Sequence, residues 1–151
     1  MTEHSPRLFT TDAEIEHLGE GLLAGTATRE EWTHEAHLAA TTYLLLCRPD
    51  IDIDVELPGI IRRFNESVGG VNSDTEGYHE TITQVYIRAV RAFLVRSDAA
   101  LPLAEKVNAL LKAPEGRRDW PLGFYSRERL FSKQARLGWV EPDVKSLPPA
   151  V

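Results

Sequence analysis

The chain has 151 residues, 42% hydrophobic and 26% charged, the balance of an ordinary globular protein long enough to bury one core. No stretch approaches the roughly 20 apolar residues of a membrane span, and a net charge of −6 leaves no large cationic face for phosphate backbones, so neither membrane nor nucleic acid is an expected partner. The start MTEHSPRLFTT lacks the apolar block of a secretory signal, and the lone Cys47 forms no intrachain disulfide; both lead us to expect a cytoplasmic address.

Helix signals dominate in chain order. Thr11 and Glu14 have capping-box spacing, which predicts a first helix over about 12–24 that ends near Gly25. Thr28 and Glu31 repeat that spacing and predict a second helix running to Cys47, before Pro49. This second segment carries no charged side chain between Glu35 and Arg48, so it is expected to be surrounded by other helices, with Cys47 as a small core residue. The run IDIDVEL alternates like a strand but has no partner, and is read as an extended approach to a third helix over about 56–68, with Pro58 in its first turn. Gly69 to Gly77 reads as a loop, followed by a fourth helix from about Tyr78 to Arg96 and a fifth from Pro102 to Lys112. The remaining segment reads as short turns capped by Ser126 and Ser132, with aromatic side chains wrapped onto the bundle. The expected fold is therefore all-α: a single-domain bundle of about five helices over 11–143 with an irregular C-terminal wrap, flanked by a flexible N-terminus, 1–10, and a flexible tail, 144–151.

Five histidines occur, and three fall in the segments WTHEAHL and GYHETIT. His34 and His37 are three residues apart, so both can reach one ligand from one side of a helix, and His37 falls beside the stripe of Trp32, Ala36, Ala40 and Tyr43. His79 falls in the apolar stripe of the fourth helix, where a buried imidazole must be hydrogen-bonded or paired. If the second and fourth helices adjoin, His34, His37 and His79 converge with a carboxylate: Glu80, Glu76 or Glu66. Imidazoles with a carboxylate are a donor set for one divalent metal ion, with open positions for water or substrate. In that scheme Glu80 is a ligand or general base, and Thr83 and Tyr86 orient what binds. Structural hydrogen bonding and metal-free acid–base or ligand-binding work are the competing roles for the same histidines. His4 and His17 read as exposed, and Trp32, Trp120 and Trp139 as packing residues.

WTHEAHL, GYHETIT and YSRERLFSKQARLGWVEPD resemble segments of a group of small bacterial helical-domain proteins, the likeness spanning about residues 28–143. That resemblance implies helical architecture and draws attention to His34, His37, His79, Glu80 and Thr83 without assigning them a role. More distantly the chain resembles helical bundles of the DinB type, which gather three histidines around a metal. The expected function is a histidine-lined internal site that binds one divalent metal and acts on a small molecule. The alternative is a non-catalytic ligand-binding or interaction domain with structural histidines. A homodimer would complete the burial of the first helix.

Overall fold

The computed structural model describes residues 6–150. Among them are seven α-helices, two 3₁₀ turns and no strand: α1 (Asp12–Ala24), α2 (His34–Cys47), α3 (Ile53–Ser67), α4 (Glu80–Arg96), α5 (Leu103–Lys112), the 3₁₀ turns Pro114–Gly116 and Trp120–Gly123, α6 (Arg127–Leu130) and α7 (Lys133–Leu137). The protein is all-helical, as expected. No helix among the described residues is long and apolar enough to cross a membrane. His4 lies outside the described residues.

Local chemistry explains the helix starts. Thr11 and Glu14 cap each other reciprocally at the head of α1, and Gly25 ends that helix in the left-handed region that favours glycine. The Thr28–Glu31 box forms too, with Thr28 N–H on Glu31 Oε1 at 2.9 Å and Glu31 N–H on Thr28 Oγ1 at 3.2 Å. It closes only a single turn, however. A second cap, Thr33, accepts the Ala36 N–H, and α2 begins at His34 rather than just after Thr28. This correction matters for the site, because Trp32 now lies in a short link and His34 becomes the first helical residue.

IDIDVEL is also corrected. Asp52 caps α3 by accepting the Asp54 N–H, and the helix starts at Ile53, so Pro58 sits in its second turn. Proline there removes one intrahelical bond. Burial offsets the loss: Ile53, Leu57, Ile60 and Phe64 are all buried at helical spacing. Helix α4 starts two residues later than expected, at Glu80, with His79 as its cap. Helix α5 starts at Leu103, with Pro102 just outside.

Helices α1 to α5 enclose the larger core. At the α1–α2 contact Gly19 is obligatory, since a Cβ there would stand 2.2 Å from Tyr43 Cδ2. Tyr43 donates to Glu20 Oε2 at 2.7 Å, and Arg48 bridges Glu20 and Asp50. The last turn of α2 points Leu46 and Cys47 outward, so Cys47 is exposed rather than a core residue. A second, smaller core forms where Val85 of α4 meets Phe124, Tyr125 and Leu130, with Trp120, Trp139, Val140 and Leu147 packed on it. Ser126 and Ser132 cap α6 and α7 as expected. Ahead of α1, Phe9 is buried, and Asn108 holds its N–H and its carbonyl at 2.8 and 2.7 Å. In the tail, Val144 N–H reaches the Phe124 carbonyl at 2.9 Å.

Candidate functional site: a histidine-lined cavity

A cavity of about 430 Å³ lies between the start of α2, the body of α3 and the first half of α4. That volume falls within the range of roughly 300–1,000 Å³ occupied by small-molecule sites. Its walls carry His34, His37, His79, Thr41 and Thr83, together with Trp32, Phe64, Asn65, Tyr78, Tyr86 and aliphatic side chains. No Lys, Arg, Asp or Glu is among the lining residues. The three expected histidines and Thr83 thus share one cavity, and Tyr86 joins them.

The histidines differ in what holds them. His34 Nε2 lies 2.8 Å from the Gly116 carbonyl, so this nitrogen carries the proton and donates. Its ring meets Tyr86 edge-on with centroids 5.5 Å apart, and the Tyr86 hydroxyl donates to the next carbonyl, Arg117 O, at 2.6 Å. Two wall side chains therefore hold two consecutive carbonyls of the segment after α5.

His79 is fully engaged. Its Nδ1 accepts the Ile82 N–H at 3.1 Å, and its Nε2 donates to the Leu130 carbonyl at 2.7 Å. Burial disfavours its protonated form and lowers its pKa. It is therefore a neutral ring with both nitrogens used, one capping α4 and the other tying α4 to α6. Thr83 donates to the His79 backbone carbonyl at 2.8 Å.

His37 is the exception. Its ring packs on Trp32, with centroids 4.4 Å apart at 49°, and its nitrogens keep accessible surface and have no hydrogen-bond partner among the described residues. Burial, with His34 nearby, pushes its pKa down to about 4, which leaves it a neutral acceptor at neutral pH. Beside it the Trp32 indole N–H is buried without an acceptor among the described residues, a deficit worth about 1–3 kcal/mol. Trp32 also contacts Phe64, with centroids 4.8 Å apart, so an aromatic wall runs from α2 to α3.

The depressed His37 pKa has a measurable consequence. Below its ordinary value of 6.5 the unfolded chain takes up a proton that the folded chain refuses until about pH 4. The stability linked to this ring is thus complete above 6.5 and is lost as pH falls to about 4, by up to about 1.4 kcal/mol per pH unit. Urea midpoints near pH 7 and about pH 5 are expected to separate less in His37→Phe than in the native chain. Equal separations would place the ring in water instead.

Glu80 is not on the cavity wall. Its carboxylate accepts from the Tyr78 hydroxyl at 2.5 Å and from Gln84 Nε2 at 3.4 Å. Burial and this carboxylate together push the Tyr78 pKa up. Tyr78 is further fixed by Asn72, whose Oδ1 accepts the Tyr78 N–H at 3.0 Å and an Asn65 Nδ2 hydrogen at 2.9 Å. Asn72 Nδ2 returns to the Arg62 carbonyl and to Glu66 Oε1. Gly77, at φ 84, closes the loop where a Cβ would strike the Val71 carbonyl at 2.2 Å.

The sequence did not single out Asn65, Asn72 or the orphan Trp32 N–H. The only local signal is an asparagine in the last turn of α3 and another within the glycine-rich loop. Among the described residues no three His, Cys, Asp or Glu side chains gather as a metal-holding group. The cavity and helices define a class: a helical domain with a cavity lined by three histidines and by no Lys, Arg, Asp or Glu. No known protein family, characterised protein or solved structure matches the chain.

Proposed function

We propose that this protein binds a small organic molecule in the cavity, with His37 as its principal hydrogen-bonding group. The carrying observation is that the His37 imidazole, on the wall of a cavity of about 430 Å³, has no hydrogen-bond partner among the described residues. A neutral ring that keeps accessible surface on a largely apolar wall is a good acceptor for a donor on the bound molecule. His34 and Tyr86 form a second aromatic pair on the wall, while His79 and Thr83 hold the start of α4 in place.

Indole at millimolar concentration is a suitable first probe. It is expected to shift the His37 and Trp32 ring resonances, and Ile61→Trp, which fills the cavity, is expected to abolish the shifts. Unchanged ring resonances would remove this reading.

A second reading keeps the divalent ion. The observation favouring it is the placement of His34 and His37 one helical turn apart in the same cavity. His79 joins such a set only by releasing the α4 cap. Elemental analysis of untagged protein checks this: stoichiometric metal, lost in His34→Ala plus His37→Ala, supports the ion.

A further inference from the structure

Resting on the cavity reading, we infer that the occupant is an uncharged aromatic compound carrying more than one hydrogen-bond donor, N–H or O–H, because the wall meets it mainly with lone pairs.

Backbone groups fix which polar atoms the wall has left over. The Gly116 carbonyl takes the His34 proton at Nε2, and a neutral imidazole has only one, so Nδ1 presents a lone pair. The Asn65 amide is oriented by a longer relay. The Tyr78 N–H donates to the Asn72 amide, so the atom that receives it is Oδ1, and the Asn65 atom 2.9 Å from that oxygen must be the donor Nδ2. Nδ2 also faces the Val71 carbonyl at 3.4 Å, which leaves Asn65 Oδ1 over. Neither His34 Nδ1 nor Asn65 Oδ1 has a hydrogen-bond partner among the described residues, and both keep accessible surface on residues that line the cavity. The unprotonated nitrogen of His37 is a further acceptor. The wall hydroxyls have spent their protons: Thr41 and Thr83 on carbonyls one turn back, Tyr86 on Arg117 and Tyr78 on Glu80, so each can offer only its oxygen. The accessible side-chain donors to set against these are the other His37 nitrogen and the hydroxyl of Thr33, which itself receives the Ala36 N–H. A molecule that brings donors therefore gains on this wall where one that only accepts does not. Charge narrows the class. No Lys, Arg, Asp or Glu lines the cavity, so neither an anion nor a cation finds a counter-charge there to offset its lost hydration. Ring contacts narrow it again, since Trp32 meets His37 and Phe64, and Tyr86 meets His34, all on the wall, and such surfaces favour an aromatic guest.

Probes of similar size separate these terms. 2,7-Dihydroxynaphthalene carries a hydroxyl donor at either end, quinoxaline is a bicyclic ring that only accepts, and 2-naphthoate and 2-naphthylmethylammonium supply either charge. Calorimetric titration of the full chain is expected to rank the diol first, about tenfold tighter than quinoxaline. In the native protein the diol is expected to move the resonance of His34 Nδ1 or of the unprotonated His37 nitrogen upfield, as a lone pair does on accepting a hydrogen bond, whereas quinoxaline leaves both in place. His34→Phe and Asn65→Leu are each expected to weaken the diol by about tenfold and to leave quinoxaline unchanged. Should a variant fail to fold, the nitrogen resonances of the native chain decide. Quinoxaline or either charged probe binding as tightly as the diol overturns the inference, as does a diol bound without the upfield shift or held with full affinity by both variants; the cavity reading survives each of these results. If no probe binds, both fall.

Discussion

Tyr125→Ala is expected to lower the unfolding free energy by about 3–5 kcal/mol, the range for deleting a buried aromatic side chain. Tyr125 is 1% exposed, lies in the smaller core with Val85, Phe124 and Leu130, and meets Trp139 edge-on at 6.5 Å. Its hydroxyl donates to the Val140 carbonyl at 2.7 Å, so the truncation also strips a chain carbonyl of its partner. Tyr125→Phe isolates that last contribution and is expected to lose only about 1 kcal/mol. Denaturant unfolding of the three proteins gives both differences, and a loss below 1 kcal/mol for the alanine variant would mean that the C-terminal wrap is not packed as described.

His79→Ala is expected to be destabilising by about 2–4 kcal/mol, which distinguishes a brace from a binding residue. It loses a helix cap, worth about 1 kcal/mol, and leaves the buried Leu130 carbonyl without its donor, worth a further 1–3 kcal/mol. His79→Asn restores an acceptor at the cap but cannot reach Leu130 from the shorter side chain, so recovery of about 1 kcal/mol is expected. Thermal or urea unfolding of the three proteins reads the series. If His79→Ala is as stable as the native chain, the ring is not the fixed link between α4 and α6 that its two bonds describe.

Where the determinants are local, the sequence was readable. Thr11 with Glu14, Ser126 and Ser132 act within one turn, and their helices start where that spacing predicts. Thr28 with Glu31 misleads for a physical reason: a capping box is satisfied by a single turn and says nothing about propagation, which Thr33 then takes over. IDIDVEL misleads because positions 53 and 57 are in phase for both a strand and a helix. Only the absence of a partner strand and the cap at Asp52 decide between them. At the site, His34 and His37 follow from spacing on one helix, and the structure also brings His79 and Thr83 to the same cavity. What satisfies His79 was not legible, since its partner Leu130 lies 51 residues away and is a backbone carbonyl that any residue would supply. Glu80 was grouped with the histidines by proximity in sequence, yet Tyr78, just two residues before it, takes its carboxylate.

The carbonyls of Gly116 and Arg117 hang from His34 and Tyr86, one ring on each of two helices. A turn of either ring releases a peptide unit, so the chamber cannot be remodelled at that end without slackening the chain that leads into the aromatic wrap. The enclosure and its outer fastening are thus a single mechanical unit, and amide hydrogen exchange should record them opening together.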